Sequence, residues 1–226
     1  MIRLDNINKS YLTLRGRKTV LRNLSLEIPS GLNVGLIGRN GAGKSTLMRL
    51  LSAVDLPDYG KITTQGTLSW PVGLSGGMQT TLSGRENVKF VCRIHGLRGA
   101  QMRAKLDYVQ EFAQLGDYID QPVSTYSSGM RARLAFGTSM AFDFDYYLID
   151  EIMAVGDATF KAKSRRVFAE RLKRSNVILI SHNMNLIRKM CTAVVVLDAG
   201  KATLYHDVNQ GIAVYEAAGE ANEAAA

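Results

Sequence analysis

No stretch of this sequence approaches the ~18 consecutive apolar residues that a membrane-spanning helix needs. Its start, Met1-Ile2-Arg3-Leu4-Asp5, has no signal-peptide core. These two absences set the expectation of a soluble, cytosolic chain that reaches a membrane only through a partner. Cysteine is scarce: Cys92 and Cys191 are the two present, and they fit no metal or redox spacing. Cys92 lies in the apolar pattern Val88-Phe90-Val91-Ile94 and Cys191 closes a helical one, so both read as core thiols. There is no internal repeat. No basic stretch interleaved with aromatics marks a single-strand nucleic-acid platform, which argues against nucleic acid as a partner.

What is present is enough chain for one large α/β domain over residues 1–226, with room for a small inserted subdomain. The stretch that organises it is Gly38-Arg39-Asn40-Gly41-Ala42-Gly43-Lys44-Ser45-Thr46. The apolar run Val34 to Ile37 precedes it and a helical pattern, Thr46 to Val54, follows. Strand, glycine loop and helix in that order, with the spacing G-x-x-x-x-G-K-S, make a P-loop. Gly38, Gly41 and Gly43 let the backbone bend round an anion with several N–H groups pointing inward. The helix start adds its positive dipole end. Lys44 is placed to reach β- and γ-phosphates and Ser45 to ligate Mg²⁺. Excess basic residues, net charge +8 with pI near 9.6, also suggest an anionic partner, and nucleotide accounts for part of that. The clusters Arg15-Arg17-Lys18-Arg22 and Lys161-Lys163-Arg165-Arg166 read first as solvated faces. The functional alternative is contact with an anionic membrane surface or, second to it, nucleic acid.

Taken in order, residues 2 to 8 and Thr19 to Ile28 alternate as strands of a small antiparallel sheet, joined by a basic loop. Tyr11, just after the first strand, is either a base-stacking aromatic or a half-buried strand-end tyrosine. Pro57 and Gly60 stop the P-loop helix. Pro71 to Gln79 holds three glycines and is a loop. Ser83 and Glu86 form a capping box that opens a helical insertion over about residues 84–143, broken at Gly96 to Gly99. Ser127 or Ser128 caps a further helix. Tyr146 to Ile149 is a buried strand ending in Asp150-Glu151, where α/β proteins place ligands; the first carboxylate can support Mg²⁺ and the second can polarise a water. Val177 to Ser181 is another, ending at His182, which faces the same edge. Ala193 to Leu197 and Ala202 to Tyr205 form a hairpin, Asn209 is a candidate cap for a last helix, and 219–226 reads as a flexible tail.

Together these residues resemble the ATPases of ATP-binding-cassette transporters, over Leu4 to about Gly211. The resemblance is closest to exporters of capsular and related cell-surface polysaccharides, through Ser69 to Leu74, Leu82 to Val88 and Tyr126 to Arg131 continuing to Asp150 through Asp157. It implies an α/β fold: a P-loop NTPase (RecA-like) core with a small antiparallel β subdomain and an inserted α-helical subdomain. It also implies roles. Tyr11 stacks on adenine; Gly38 to Thr46 (Arg39, Asn40, Gly41, Ala42 and Gly43 among them) cradle the phosphates; Lys44, Glu151 and His182 are catalytic. Ser45 and Asp150 serve Mg²⁺. Ser128 and Gly129 contact the ATP of a second copy, and Asp157 runs between the two sites. The cofactors implied are ATP and Mg²⁺. The partners implied are a second copy in an ATP-dependent homodimer, an integral membrane permease, other envelope export proteins, and polysaccharide as the transported substrate. The implied location is the cytoplasmic face of the inner membrane.

Two departures stand out. The signature reads Tyr-Ser-Ser-Gly-Met where most of the family has Leu-Ser-Gly-Gly-Gln. The loop glutamine that usually meets Mg²⁺ and the membrane subunit falls near Leu74, and the nearby Gln79 is its candidate replacement. A different transporter ATPase, for import or for drug or lipid export, is the alternative reading. A ribosome- or DNA-directed cassette protein stands further off, since those relatives carry two cassettes or a coiled-coil insertion.

Overall fold

The computed structural model describes residues 1–14, 16–72, 78–150 and 158–223. The chain forms two compact units, one comprising Met1–Pro71, Phe144–Glu151 and Ser175–Ala226, the other Val72–Asp143 and Ile152–Arg174.

The first unit holds two sheets. β1 (Ile2–Thr13) lies between β2 (Gly16–Ile28) and β4 (Tyr59–Thr64) and runs antiparallel to both, with Leu4 opposite Leu26 on one side and Ile62 on the other. The second sheet has the order β5-β6-β3-β7-β8, built from β3 (Val34–Gly38), β5 (Tyr146–Asp150), β6 (Asn176–Ile180), β7 (Ala193–Asp198) and β8 (Lys201–Tyr205). Its first four strands are parallel and β8 returns antiparallel as the hairpin expected from the sequence. β3, β5 and β7 are buried almost throughout, so they read as unbroken apolar runs rather than as alternation. Ile2, Leu4, Leu26 and Ile28 of the small sheet share one core with Leu36, Leu148, Ile178 and Val195 of the large one and with Leu47 and Leu51 of α1 (Lys44–Leu51). Each such side chain contributes about 1.5–3 kcal/mol of burial. α6 (Met184–Met190) and α7 (Val208–Glu223) complete the unit. Both cysteines are buried, and burial alone pushes the Cys191 thiol up to about 12. No described helix is long and apolar enough to cross a membrane.

The second unit consists of α2 (Gly84–Ile94), α3 (Gly99–Ala113), α4 (Ser128–Ala141) and α5 (Ala158–Leu172) among the described residues, with two short 3-10 turns between α3 and α4. The capping box forms as expected: Ser83 Oγ accepts from Glu86 N at 3.1 Å, and Ser83 N donates to Glu86 Oε2 at 3.0 Å. Phe112 of α3 packs against Phe136 of α4 and Phe160 of α5, with ring centroids 5.8 and 5.4 Å apart. Arg85 ties α2 to Asp120, its Nε 2.6 Å from the carboxylate.

Three local expectations are corrected. The connection between β1 and β2 is shorter than the expected basic loop. The strands pair as far as Thr13 and Gly16, and Thr13 Oγ1 donates to Gly16 O at 2.7 Å, so Arg17 and Lys18 stand on β2 itself. Pairing along the whole of β1 also places Tyr11 inside the strand. The cap of α7 is Asp207, not Asn209: Asp207 Oδ1 accepts from Asn209 N at 2.7 Å and from Gln210 N at 3.1 Å.

Candidate nucleotide site

β3 ends at Gly38 and α1 begins at Lys44, so the intervening turn must reverse direction within five residues. It does so through positive φ at Gly41 (82°) and Gly43 (106°), closed by Ala42 N donating to Arg39 O at 3.1 Å. Gly43 occupies the N-cap of α1 and offers no side chain to it, which leaves the first N–H groups of the helix for an anion. A methyl on Gly43 would meet Leu21 and Val20 at 2.9–3.0 Å, and one on Gly38 would meet Leu197 O at 2.3 Å. The loop is thus held close against both sheets. Lys44 is buried, and its Nζ donates to Gly38 O at 2.6 Å and Arg39 O at 3.0 Å. The ammonium lies across the loop, where phosphate oxygens can take over those bonds.

The parallel pairing brings the other groups to the same edge. Leu36 of β3 sits beside Ile180 of β6, and Ile180 beside Asp150 of β5. His182 follows two residues later, exposed, while Asp150 is half-buried. A cleft of about 430 Å³ results, lined by Tyr11, Asn40, Gly41, Gly43, Lys44, Ser45, Thr46, Asp150 and His182. Lys18 and Arg49 add positive charge to it. Gly38, Arg39 and Ala42 shape the turn without lining the cleft, and Arg39 borders a neighbouring groove beside α7. The exposed Ser45 hydroxyl and the Asp150 carboxylate share this cleft and are hard oxygen donors, as Mg²⁺ requires.

Lys18 and Arg49 were not picked out as site residues from the sequence, nor was the support behind Tyr11. Its Oη donates to Asp55 Oδ2 at 2.7 Å, a contact spanning 44 residues that no local pattern signals.

The remaining candidates belong to the helical unit or fall outside the described residues. Ser127, not Ser128, caps α4, accepting from Met130 N at 3.2 Å. Ser128 is exposed as the first residue of the helix, and a methyl on Gly129 would meet only Ser127 Oγ, at 3.9 Å. Gln79 is exposed, its backbone held by Asn87, whose side chain accepts from Gln79 N at 2.8 Å and donates to Gln79 O at 2.9 Å. Glu151 and Asp157 lie outside the described residues, as do residues 73–77 of the glycine-rich loop.

Comparison with known proteins matches this arrangement. The family described as "ABC transporter" covers residues 21–154. The polysialic acid transport ATP-binding protein KpsT of Escherichia coli is 51% identical over 217 residues, 96% of each chain. The capsule polysaccharide export ATP-binding protein CtrD of Neisseria meningitidis serogroup B is 41% identical over 215 residues, 95% of this chain and 98% of that one. Among solved structures, the ATP-binding cassette MJ0796 in a dimeric post-hydrolysis state with ADP and Pi superposes with a TM-score of 0.70, at 21% identity, over 89% of this chain and 96% of that one. The fold is therefore that of an ABC ATPase cassette. With the family covering more than half of the sequence, and relatives aligned over nearly all of it, the chain belongs to the ABC transporter family as an ATP-binding ATPase.

Proposed function

We propose that this chain is the ATPase subunit of an exporter of capsular or related cell-surface polysaccharide, at work on the cytoplasmic face of the inner membrane. The observation that carries the reading is the identity to KpsT over nearly the full length of both chains. The division of labour is as follows. Tyr11 stacks on the adenine. The Gly38–Thr46 loop and the N-terminus of α1 receive the phosphates, and Lys44 exchanges Gly38 O and Arg39 O for β- and γ-phosphate oxygens. Ser45 and Asp150 would hold Mg²⁺, with Gln79 of the helical unit as a further candidate. When bound, that ion neutralises charge on the transferring phosphoryl group. Glu151 orients and polarises the attacking water, and His182 hydrogen-bonds the γ-phosphate side of the site.

Among the described residues of the helical unit, Ser128 and Gly129 have no phosphate loop beside them. Two copies facing head to tail would place each signature over the ATP of the other, with Asp157 on the path between the sites. Bound ATP then holds the dimer closed and hydrolysis releases it, driving a separate membrane permease and, with it, other envelope export proteins.

The test is purification of the tagged chain in detergent from its native membranes. Co-recovery of a multi-helix membrane protein with envelope export components supports the reading, and recovery with ribosomes alone overturns it. The site assignment has its own check. Glu151→Gln is expected to bind ATP normally, to lose turnover on the order of 10²–10³-fold, and to run as a dimer with ATP in light-scattering chromatography. Lys44→Ala is expected to lose nucleotide affinity itself. Normal hydrolysis by Glu151→Gln would remove that residue from the catalytic role.

A further inference from the structure

Tyr11 is tethered more firmly than a half-buried strand residue requires. Its Oη donates to Asp55 Oδ2 at 2.7 Å. The other carboxylate oxygen, Oδ1, accepts from Lys9 Nζ at 2.7 Å and from Leu56 N at 2.8 Å. Lys9 Nζ donates again, to Leu56 O at 2.7 Å, and its side chain is only 10% exposed. Both oxygens of Asp55 are thus engaged, and the ammonium that engages one of them is itself fixed by a backbone carbonyl. Lys9 Nζ also lies 5.1 Å from the Tyr11 ring centroid, and Arg49 Cζ lies 5.5 Å from it. Tyr11 and Arg49 line the cleft; Lys9 and Asp55 stand behind it. The contacts hold the Asp55 carboxyl below its usual range, through Lys9 first and Tyr11 second.

A tyrosine ring turns about two side-chain bonds; anchoring its hydroxyl oxygen fixes the ring axis, and because the phenolic O–H prefers the ring plane, its bond to a fixed carboxylate oxygen favours one plane before a ligand arrives. An O–H···O⁻ bond to an ionised carboxylate is about twice as strong as a neutral one. Ordering carried out in the free protein is not charged to binding. We propose that Asp55, locked by Lys9, is a positioning residue for the nucleobase: it presets the Tyr11 ring as the stacking face for adenine. This rests on Tyr11 being that face. The competing role is mechanical, a staple holding β1 to the segment between α1 and β4.

The probes that separate these are ATP, ADP and inorganic tripolyphosphate, which has phosphates but no base. Dissociation constants are measured by competition against a fluorescent nucleotide on the full chain. Asp55→Asn keeps the shape and removes the charge; Tyr11→Phe keeps the ring and removes only the hydroxyl. Each is expected to weaken ATP and ADP about three- to tenfold, the double variant no more than either alone. Tripolyphosphate is expected to stay within about twofold. Equal losses for all three ligands would make the network a staple and overturn the proposal. Tyr11→Ala tells the two failures apart. If it weakens ATP while Tyr11→Phe and Asp55→Asn do not, presetting is wrong and stacking stands. If it leaves ATP unchanged, stacking itself is wrong and the proposal falls with it.

Discussion

α1 in the sheet unit and α4 in the helical unit both begin as anion-ready helix ends, yet their surroundings differ. α1 starts behind Gly43, in the left-handed region and without a side-chain cap, within a cleft of about 430 Å³ that also holds Lys44, Asp150 and His182. α4 starts at Ser128 with its cap already made by Ser127, and Ser128 faces solvent. The same local chemistry lies in a charged cleft in one unit and at an exposed helix start in the other. The cleft comes from the parallel strands whose ends converge on the first. An open helix end of this kind fits a role completed by another molecule, as the proposed head-to-tail pair requires.

This contrast can be broken at single glycines. The largest effect belongs to Gly38→Ala. Its methyl would sit 2.3 Å from Leu197 O, a backbone atom that cannot swing aside. The expected cost is about 3 kcal/mol, read as a fall in Tm of roughly 10 °C, together with loss of nucleotide affinity. Gly129→Asp sharpens the other side. Space is open there, so Tm and ATP affinity are expected to stay within about 0.5 kcal/mol of the parent. An added negative charge at a surface meant for phosphate should nonetheless lower turnover by on the order of 10²-fold, as measured by phosphate release. Unchanged turnover in Gly129→Asp would mean that the exposed helix start has no part in hydrolysis.

The smallest effect concerns pH. Lys9, and secondarily Tyr11, depress the Asp55 carboxyl in the folded chain. Its contribution is therefore present above the ordinary carboxylate range and is lost as pH falls through the lower folded value. The stability difference between the parent and Asp55→Asn, from urea melts, is expected to be flat above about pH 5 and to shrink below about pH 4.

Most of the phosphate loop was legible in the sequence, because Gly38 to Thr46 are consecutive and their chemistry depends on spacing along the chain. Asp150 and His182 were legible as the ends of short buried strands. The capping box was legible for the same local reason, Ser83 and Glu86 being three residues apart. The misreadings arose where two local solutions competed. Asp207 and Asn209 can each cap a helix, and the end of β8 at Tyr205 decided for Asp207. Arg17 and Lys18 suit a loop as well as a strand edge, and pairing with β1 placed them on β2.

By itself, then, the sequence determined the strand-loop-helix that receives phosphate, the acidic and histidine strand ends, and family membership, since each depends on residues adjacent in the chain. Only the tertiary structure decided that β3 lies between β6 and β7, that Lys18 and Arg49 face the same cleft, and that Asp55 and Lys9 hold Tyr11. Those pairings join residues tens of positions apart, and only the packing of the two sheets on one core brings such residues into contact.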